Sequence, residues 1–366
     1  MMEYVNLGDV ATYINGYAFK PEQRGKKGLP IIRIQDLNGN SHDLGFFDGE
    51  YPKQVEINAG DILISWSGSL GVYKWNKGKA LLNQHIFKVL FNKIKIDKEY
   101  FCYAVKNSLS VMSQQTHGAT MKHITKKDFD KVLIPYPSLN TQRKIAQKLN
   151  IVTELIVFYE TELSLMEQLI KARFVEMFGD PIINPYGFPV KKIDEVAVLN
   201  KGITYSPDDI SKEGIIVLRS GNIKGNAFDL EDIVRISKKI SNDKLVNEND
   251  ILMCNRNGSV NLVGKVAKIP KLEEKMTFGT FMTIVRSEIF EYLFVFFQMN
   301  AFREQIKFQT AVAINQISLP LLASVKVPIP TNELIKEFAD FVEQVDKSRF
   351  DIKKSITELE REVVYD

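Results

Sequence analysis

The chain has 366 residues, 45% of them hydrophobic and 25% charged, with 48 Lys and Arg against 45 Asp and Glu. This is the composition of an ordinary globular protein with enough chain for two or three domains, which excludes a fibrous or disordered one. The longest strongly apolar stretch, near Tyr292 to Phe297, is far too short to cross a bilayer, and Cys102 and Cys254 alone make neither a disulfide framework nor a metal cluster.

The first residues, Met1-Met2-Glu3-Tyr4, lack the basic start and apolar core of a secretory leader, so a cytoplasmic protein is expected. Leu29 to Leu37, Asp61 to Trp66 and Leu81 to Phe91 are short apolar or alternating runs bounded by Gly, Asn and Asp, and they predict strands. An amphipathic helix is predicted over about Lys98 to Ser113. Val132 to Pro137 closes this first part, and its Pro135-x-Pro137 ends a strand while denying backbone donors to any continuation. Ser138 is then a good N-cap for a long glycine-free helix. Along it Leu149, Ile156, Leu163, Ile170 and Met177 recur every seven residues, with Val152, Tyr159 and Met166 three residues later, a coiled-coil stripe. Gly179-Asp180-Pro181 ends the helix, whose roughly 38 residues would span about 57 Å.

The pattern then begins again. Leu7-Gly8-Asp9-Val10 returns as Ile193-Asp194-Glu195-Val196, and Arg33 as Arg219, both 186 residues on. Asp61-Ile62-Leu63 returns as Asp250-Ile251-Leu252 at 189, Glu99-Tyr100 as Glu291-Tyr292 at 192, and the Pro-x-Pro as Pro328-x-Pro330 at 193. An offset that only grows, in unbroken order, marks a tandem duplication of a domain-sized unit. The second copy predicts strands at Gly214 to Ile223, Asp250 to Cys254 and Thr280 to Val285, and a helix over about Glu288 to Phe308. Thr331 then caps a second heptad helix carrying Phe338, Val345, Ile352 and Leu359, with Val342, Ile356 and Val363 four residues later.

Each module reads as α+β. The expected division is residues 1–137 for the first module, 138–180 for the first long helix, 181–330 for the second module and 331–366 for the second helix. The two helices are expected to pair antiparallel, with Ile156, Leu163 and Ile170 facing Val345, Ile352 and Ile356, and the modules at opposite ends of the rod. Separate helical hairpins or dimerisation tails are the alternative.

Net charge, small overall, is unevenly distributed. Lys and Arg exceed Asp and Glu by 5 over residues 1–137 and by 3 over 191–330, while 138–190 and 331–366 carry −1 and −4. A polyanion would therefore be held by the modules and not by the connectors.

No catalytic constellation survives inspection. All four histidines, His42, His85, His117 and His123, lie in the first copy, whereas a duplicated enzyme would repeat its base. Asn184-Pro185-Tyr186 lacks the second proline of an amino-methyltransferase loop, and Glu273-Glu274-Lys275 has no Pro-Asp upstream to make a nuclease site. Gly68-Ser69-Leu70-Gly71 is too short to cradle a phosphate. No resident cofactor or metal is expected.

The order of module, long helix, related module and long helix resembles the specificity subunit of type I restriction–modification systems over the whole chain. The likeness is carried by Gly8-Asp9-Val10 with Gly16-Tyr17-Ala18-Phe19, by Gly60-Asp61-Ile62-Leu63, and by His123-Ile124-Thr125 through Pro137 with Gln142 and Ile145-Ala146. Arg173-Phe174-Val175-Glu176-Met177-Phe178-Gly179-Asp180-Pro181 completes it. The resemblance implies a non-catalytic subunit whose modules each read half of a split double-stranded DNA target, and whose helices act as a ruler. It also implies docking of two modification subunits that bring S-adenosylmethionine and methylate adenine, with a restriction subunit as a further partner and no membrane association.

Base reading needs Arg, Lys, Asn, Gln and small polar residues on loops. The loop after Asp61 supplies Ser65, Trp66, Ser67 and Ser69, and its partner after Asp250 supplies Asn255, Arg256, Asn257 and Ser259, followed by Lys265 as a phosphate contact. Further DNA-contact candidates are Lys20, Arg24, Lys26 and Lys27, then Gln114, Gln115, His117 and Lys122. The second copy adds Tyr205, Lys212, Arg219, Asn222, Lys224, Asn315 and Gln316. Arg33 and Arg219, at matched places inside predicted strands, read equally as structural ion-pair partners. A protein–protein scaffold that never touches DNA is the competing function, and the charge partition weighs against it.

Overall fold

The computed structural model describes residues 3–40, 43–115, 125–307 and 316–365, with side chains left out for 110–115, 307, 364 and 365. Contacts divide the chain into residues 1–158 with 355–366, and residues 159–354.

In the first unit, β1 (Tyr4–Asn6), β2 (Thr12–Asn15), β3 (Leu29–Ile32), β4 (Phe46–Phe47) and β5 (Glu56–Ile57) are followed by β6 (Ile62–Ser65), β7 (Gly71–Lys74), β8 (Ala80–Leu82), β9 (Ile86–Leu90) and β10 (Leu133–Pro135). One four-stranded sheet has the antiparallel order β2-β9-β6-β7, and a second has the order β4-β3-β8-β5 with β3 and β8 parallel. Strand β1 pairs antiparallel with β10, so the proline-ended strand closes on the strand that opens the module. Helix α1 (Lys98–Gln115) contributes Phe101, Val105 and Leu109 to the core formed with Tyr13, Ile62, Ile64 and Phe87.

The second unit repeats this plan. Its strands are β11 (Val190–Lys192), β12 (Val198–Lys201), β13 (Ile210–Ser211), β14 (Ile215–Leu218), β15 (Ile223–Lys224), β16 (Ala227–Phe228) and β17 (Arg235–Ile236). They continue as β18 (Ile251–Cys254), β19 (Val266–Lys268), β20 (Met276–Phe278), β21 (Met282–Arg286) and β22 (Lys326–Pro328). The order β12-β21-β18-β19 copies β2-β9-β6-β7, the parallel pair β14 and β20 copies β3 and β8, and β11 closes on β22.

The duplication extends to single hydrogen bonds. Tyr100 Oη donates to Pro135 O at 2.8 Å, and Tyr292 Oη donates to Pro328 O at 2.6 Å. Two glycines explain themselves the same way. A Cβ on Gly16 would lie 2.0 Å from Asn83 O, and one on Gly202 would lie 2.0 Å from Gly279 O, so only glycine lets these backbones cross.

The long helices are α2 (Leu139–Phe178) and, after α3 (Phe290–Phe296) and α4 (Asn300–Lys307), α5 (Asn332–Tyr365). Ser138 and Thr331 cap them as expected, accepting from Thr141 N at 3.3 Å and Leu334 N at 3.4 Å. Gly179 ends α2 at φ +73, its N–H bonded to Val175 O. Within the second unit the helices pack together and run antiparallel. Arg173 meets Glu337 at 2.9 Å while Glu167 meets Arg349 at 3.0 Å, so earlier residues of one helix face later residues of the other. Ile170, Phe174 and Phe178 share one buried cluster with Ile335, Phe338, Val342 and Val345. Leu163 and Ile352 are only half-buried.

Several local expectations are corrected. The strand expected over Leu29 to Leu37 stops at Ile32, and Ile34–Leu37 forms a helical turn. The Asp36 carboxylate accepts from Arg33 N at 2.7 Å and ends the extension. Gly214 to Ile223 divides in the same way, with Asn222 Oδ1 accepting from Arg219 N at 2.8 Å. Arg33 and Arg219 thus stand just past strand ends, not inside them. Leu81 to Phe91 is two strands, broken by a turn in which His85 adopts φ +72. The helix expected from Glu288 is interrupted at 297–299, a turn that lets Phe296, Phe297 and Phe302 all bury in one core.

Candidate nucleic-acid interface

In each module the central strand, β6 or β18, runs into the loop that differs most between the copies. Its acid is fixed beneath it. Asp61 accepts from Asn58 N at 2.8 Å and pairs with Lys88 at 3.0 Å, whereas Asp250 accepts from Asn247 N at 2.7 Å and takes both Arg286 Nε and Nη2 at 2.7 Å. The hydrogen bonds that Arg286 donates to Asp250 raise the arginine's pKa.

Above that base the loops part ways. In the first module Ser65 is buried and its hydroxyl donates to Ser69 O at 2.5 Å. Trp66 donates from Nε1 to Asn15 Oδ1 at 3.1 Å, sits edge-on to His85 at 4.9 Å and stacks on Phe87 at 5.6 Å. Ser67 is half-buried and Ser69 exposed. In the second module Asn255 is 5% exposed and donates to Thr283 Oγ1 at 3.1 Å, so its side chain holds the loop from inside. Asn257 Nδ2 donates to Ser220 Oγ at 3.2 Å, and its Oδ1 accepts from Ser259 N at 3.0 Å. Arg256 is exposed, its guanidinium 5.0 Å from the Phe281 ring centroid. Gln316 is exposed beside it, residues 256 and 316 forming an antiparallel bridge. Asn255, Arg256, Asn257 and Gln316 are therefore brought together.

The remaining candidates fall in three groups. Lys20, Lys26, Lys27 and Lys212 are exposed, while Arg24, Tyr205 and Lys265 are half-buried. Others are engaged within the fold. Arg219 pairs with Asp232 at 2.9 Å, and Asn222, fully buried, donates to Asp229 O and Asp232 O. Lys224 bonds Glu231 at 2.5 Å and Asp229 at 3.1 Å, and these hydrogen bonds raise its pKa. Last, Gln114 and Gln115 end α1 with their side chains undescribed, and His117, Lys122 and Asn315 lie outside the described residues. Two residues that sequence reasoning passed over belong with the loops: His85 and Phe281, each directly preceding the strand paired with the central one, β9 or β21. Their shared register, one residue before Ile86 and Met282, was the available signal.

Among the described residues no group of three His, Cys, Asp or Glu could hold a metal, and no helix is long and apolar enough to cross a membrane. Burial pushes the Cys102 thiol up to about 12 and raises that of Cys254 as well, so both stay protonated at neutral pH.

This geometry, a twice-built sheet frame with dissimilar polar loops and a pair of long helices, meets its counterpart in known proteins. The family model for the type I restriction modification DNA specificity domain matches residues 1–167 and 185–361, and the chain belongs to this family. It is a specificity subunit, the non-catalytic part that confers DNA target recognition. The EcoBI specificity subunit of Escherichia coli is 25% identical over 96% of this chain and 81% of its own length. The MjaVIII specificity subunit of Methanocaldococcus jannaschii is 22% identical over 94% and 86%. In fold, the S subunit from M. genitalium superposes with a TM-score of 0.50 at 15% identity, covering 99% of this chain and 94% of that one. A chain from a structural study of complex assembly and conformational transition in the type I system gives 0.55 at 15%, covering 99% and 95%.

Proposed function

We propose that the two modules read the two unlike halves of a split, asymmetric double-stranded DNA site, and that partner subunits methylate adenine where this chain directs them. The observation that carries the reading is the conserved frame with exchanged loops: Trp66 and His85 in one module occupy the place of Asn255, Arg256 and Phe281 in the other. Equal frames present their loops in equal ways, and unequal loops then ask for unequal sequences. An exposed arginine can bond guanine O6 and N7 in bidentate fashion, and Gln316 suits adenine. Lys20, Lys26, Lys27 and Lys212 fit phosphate contacts, which bind without regard to sequence.

In this reading residues 138–180 and 331–366 are the ruler and the docking site for two modification subunits. Helix α2 supports it with large apolar side chains turned to solvent: Ile151 and Phe158 in the first unit, Leu165 and Leu169 in the second. Residues 151, 158 and 165 are spaced by seven, on a different stripe from the buried Leu149, Ile170 and Phe174. A restriction subunit would join the same assembly, and the site of action is the cytoplasm.

The purified chain should neither methylate nor cut DNA alone, and with modification subunits it should direct methylation to a two-part site. Arg256→Ala should relax one position of one half-site, at a cost of roughly 1–3 kcal/mol for the preferred base. Sequencing of methylated DNA from cells carrying the variant decides it. An unchanged target, or equal loss in both halves, contradicts the assignment, and methyl transfer by the isolated chain contradicts the non-catalytic role.

A further inference from the structure

Three separate segments of the second unit meet beside Arg256. The backbone N–H groups of Asn255 and Arg256 both donate to Phe281 O, at 2.9 and 3.3 Å, and Ile317 N donates to Asn255 O at 2.7 Å. The turn between β20 and β21 and the segment at 316–317 are thereby stitched to the end of β18. Phe281 itself is 52% exposed, although its successor Met282 is buried. A single exposed phenylalanine is unremarkable. What sets this one apart is the arginine above it, whose guanidinium makes no ion pair among the described residues. Of the other arginines of the same module, Arg219, Arg235 and Arg286 are each held by a carboxylate, and Arg303 by the carbonyls of Val263 and Gly264.

The first module repeats the arrangement with different residues. Trp66 N donates to His85 O at 3.1 Å, as Asn255 N does to Phe281 O, and the His85 ring lies 4.9 Å from that of Trp66. In both copies the residue before the strand paired with the central one, β9 or β21, lends a ring to the start of the variable loop.

We propose that Phe281 is a positioning residue for base reading by Arg256, an inference that rests on the DNA-reading role given to Arg256 above. An unsupported arginine on a loop samples many rotamers, and a flexible cation goes to whichever phosphate is nearest, which carries no sequence information. A ring under the guanidinium attracts it without neutralising it, as a carboxylate would. The charge remains available to DNA, the plane is fixed before DNA arrives, and the side chain loses less freedom on binding. The ring thus favours the bidentate base contact over a wandering phosphate contact.

The test uses the full chain assembled with its modification subunits and a randomised duplex DNA library, reading base preference at each position together with total binding. Phe281→Leu should weaken preference at the position that Arg256→Ala relaxes, by roughly threefold to tenfold. Binding to the pool as a whole should change by less than about twofold, because phosphate contacts are untouched. Phe281→Tyr should restore the preference, and Phe281→Leu combined with Arg256→Ala should be no worse than Arg256→Ala alone. Phe281→Leu with unchanged preference, or with equal loss on all sequences, overturns the proposal. If Arg256→Ala shifts no position, the reading role of Arg256 falls first and the proposal falls with it. If Phe281→Leu relaxes a position that Arg256→Ala leaves alone, Arg256 is not what the ring positions.

Discussion

The two modules share the order of one sheet and the clasp that closes it, but they differ in their loops and in the second sheet, ordered β4-β3-β8-β5 in one and β13-β17-β14-β20 in the other. Gly16 and Gly202, Tyr100 and Tyr292, and the strand pairs β1 with β10 and β11 with β22 match one for one. The Lys74–Glu99 ion pair returns as Lys268–Glu291 at 2.6 Å, both lysines closing the strand that follows the variable loop. Divergence begins one contact further out. Lys268 also reaches Asp346 of α5 at 2.9 Å, and Asp346 pairs with Arg349, whereas in the first unit Tyr103 Oη bonds Asn150 Oδ1 and Thr153 of α2. A charged network and a neutral one do the same job of tying module to helix. Burial opposes the charge on Lys268, yet Glu291 and Asp346 outweigh it and raise its pKa. The difference teaches that duplication preserved the geometry of attachment while its chemistry drifted.

The strongest way to break this comparison is at the glycines. Gly16→Ala and Gly202→Ala should each cost more than about 4 kcal/mol, since a Cβ cannot share 2.0 Å with a carbonyl oxygen and the backbones must separate. Urea unfolding should show both damaged alike, and tolerance at either position would mean that the two crossings are not equivalent. Next comes Phe174→Ala. Its ring lies 4.9 Å from Tyr292, 5.0 Å from Phe178 and 5.6 Å from Phe338, and its loss should cost about 3–5 kcal/mol by thermal unfolding.

Asp250→Ala and Asp61→Ala should separate the copies. The Asp250 side chain is 1% exposed and holds Arg286, so removal should cost about 3 kcal/mol or more. Asp61, at 25% exposed, should cost clearly less, and equal losses would refute the claim that the second module depends more on its buried acid. The smallest effect sharpens the likeness: Tyr100→Phe and Tyr292→Phe should each lose about 1 kcal/mol, the net worth of one hydrogen bond. A marked inequality between them would show that the shared bond carries different strain in the two copies.

What could be read from the sequence follows the same division. Heptads, caps and the repeat are local or periodic, so the two long helices, Ser138, Thr331 and Gly179 were legible at once. Turns set by one side chain folding back were not. The Asp36 carboxylate ending β3 and the Asn222 amide ending β14 look like ordinary polar residues after an apolar run. The break at 297–299 has neither Gly nor Pro to announce it, because packing of three phenylalanines decides it. At the candidate interface, the loops were found because the repeat changes there. Which of their residues face inward was not legible, since Asn255 and Asn257 differ only in the partners that folding brings to them.

The antiparallel pairing of each opening strand with its closing strand has a consequence of its own. Residues 4–6 lie against 133–135, and residues 190–192 lie against 326–328, so each module enters and leaves through one three-residue clasp. Everything that distinguishes one module from another is strung between the two halves of that clasp. A foreign module with the same opening and closing strands could be spliced in as a cassette without disturbing the helix that follows. Recombination between related genes would then exchange one whole module at a time, provided that the crossovers fall at the clasp.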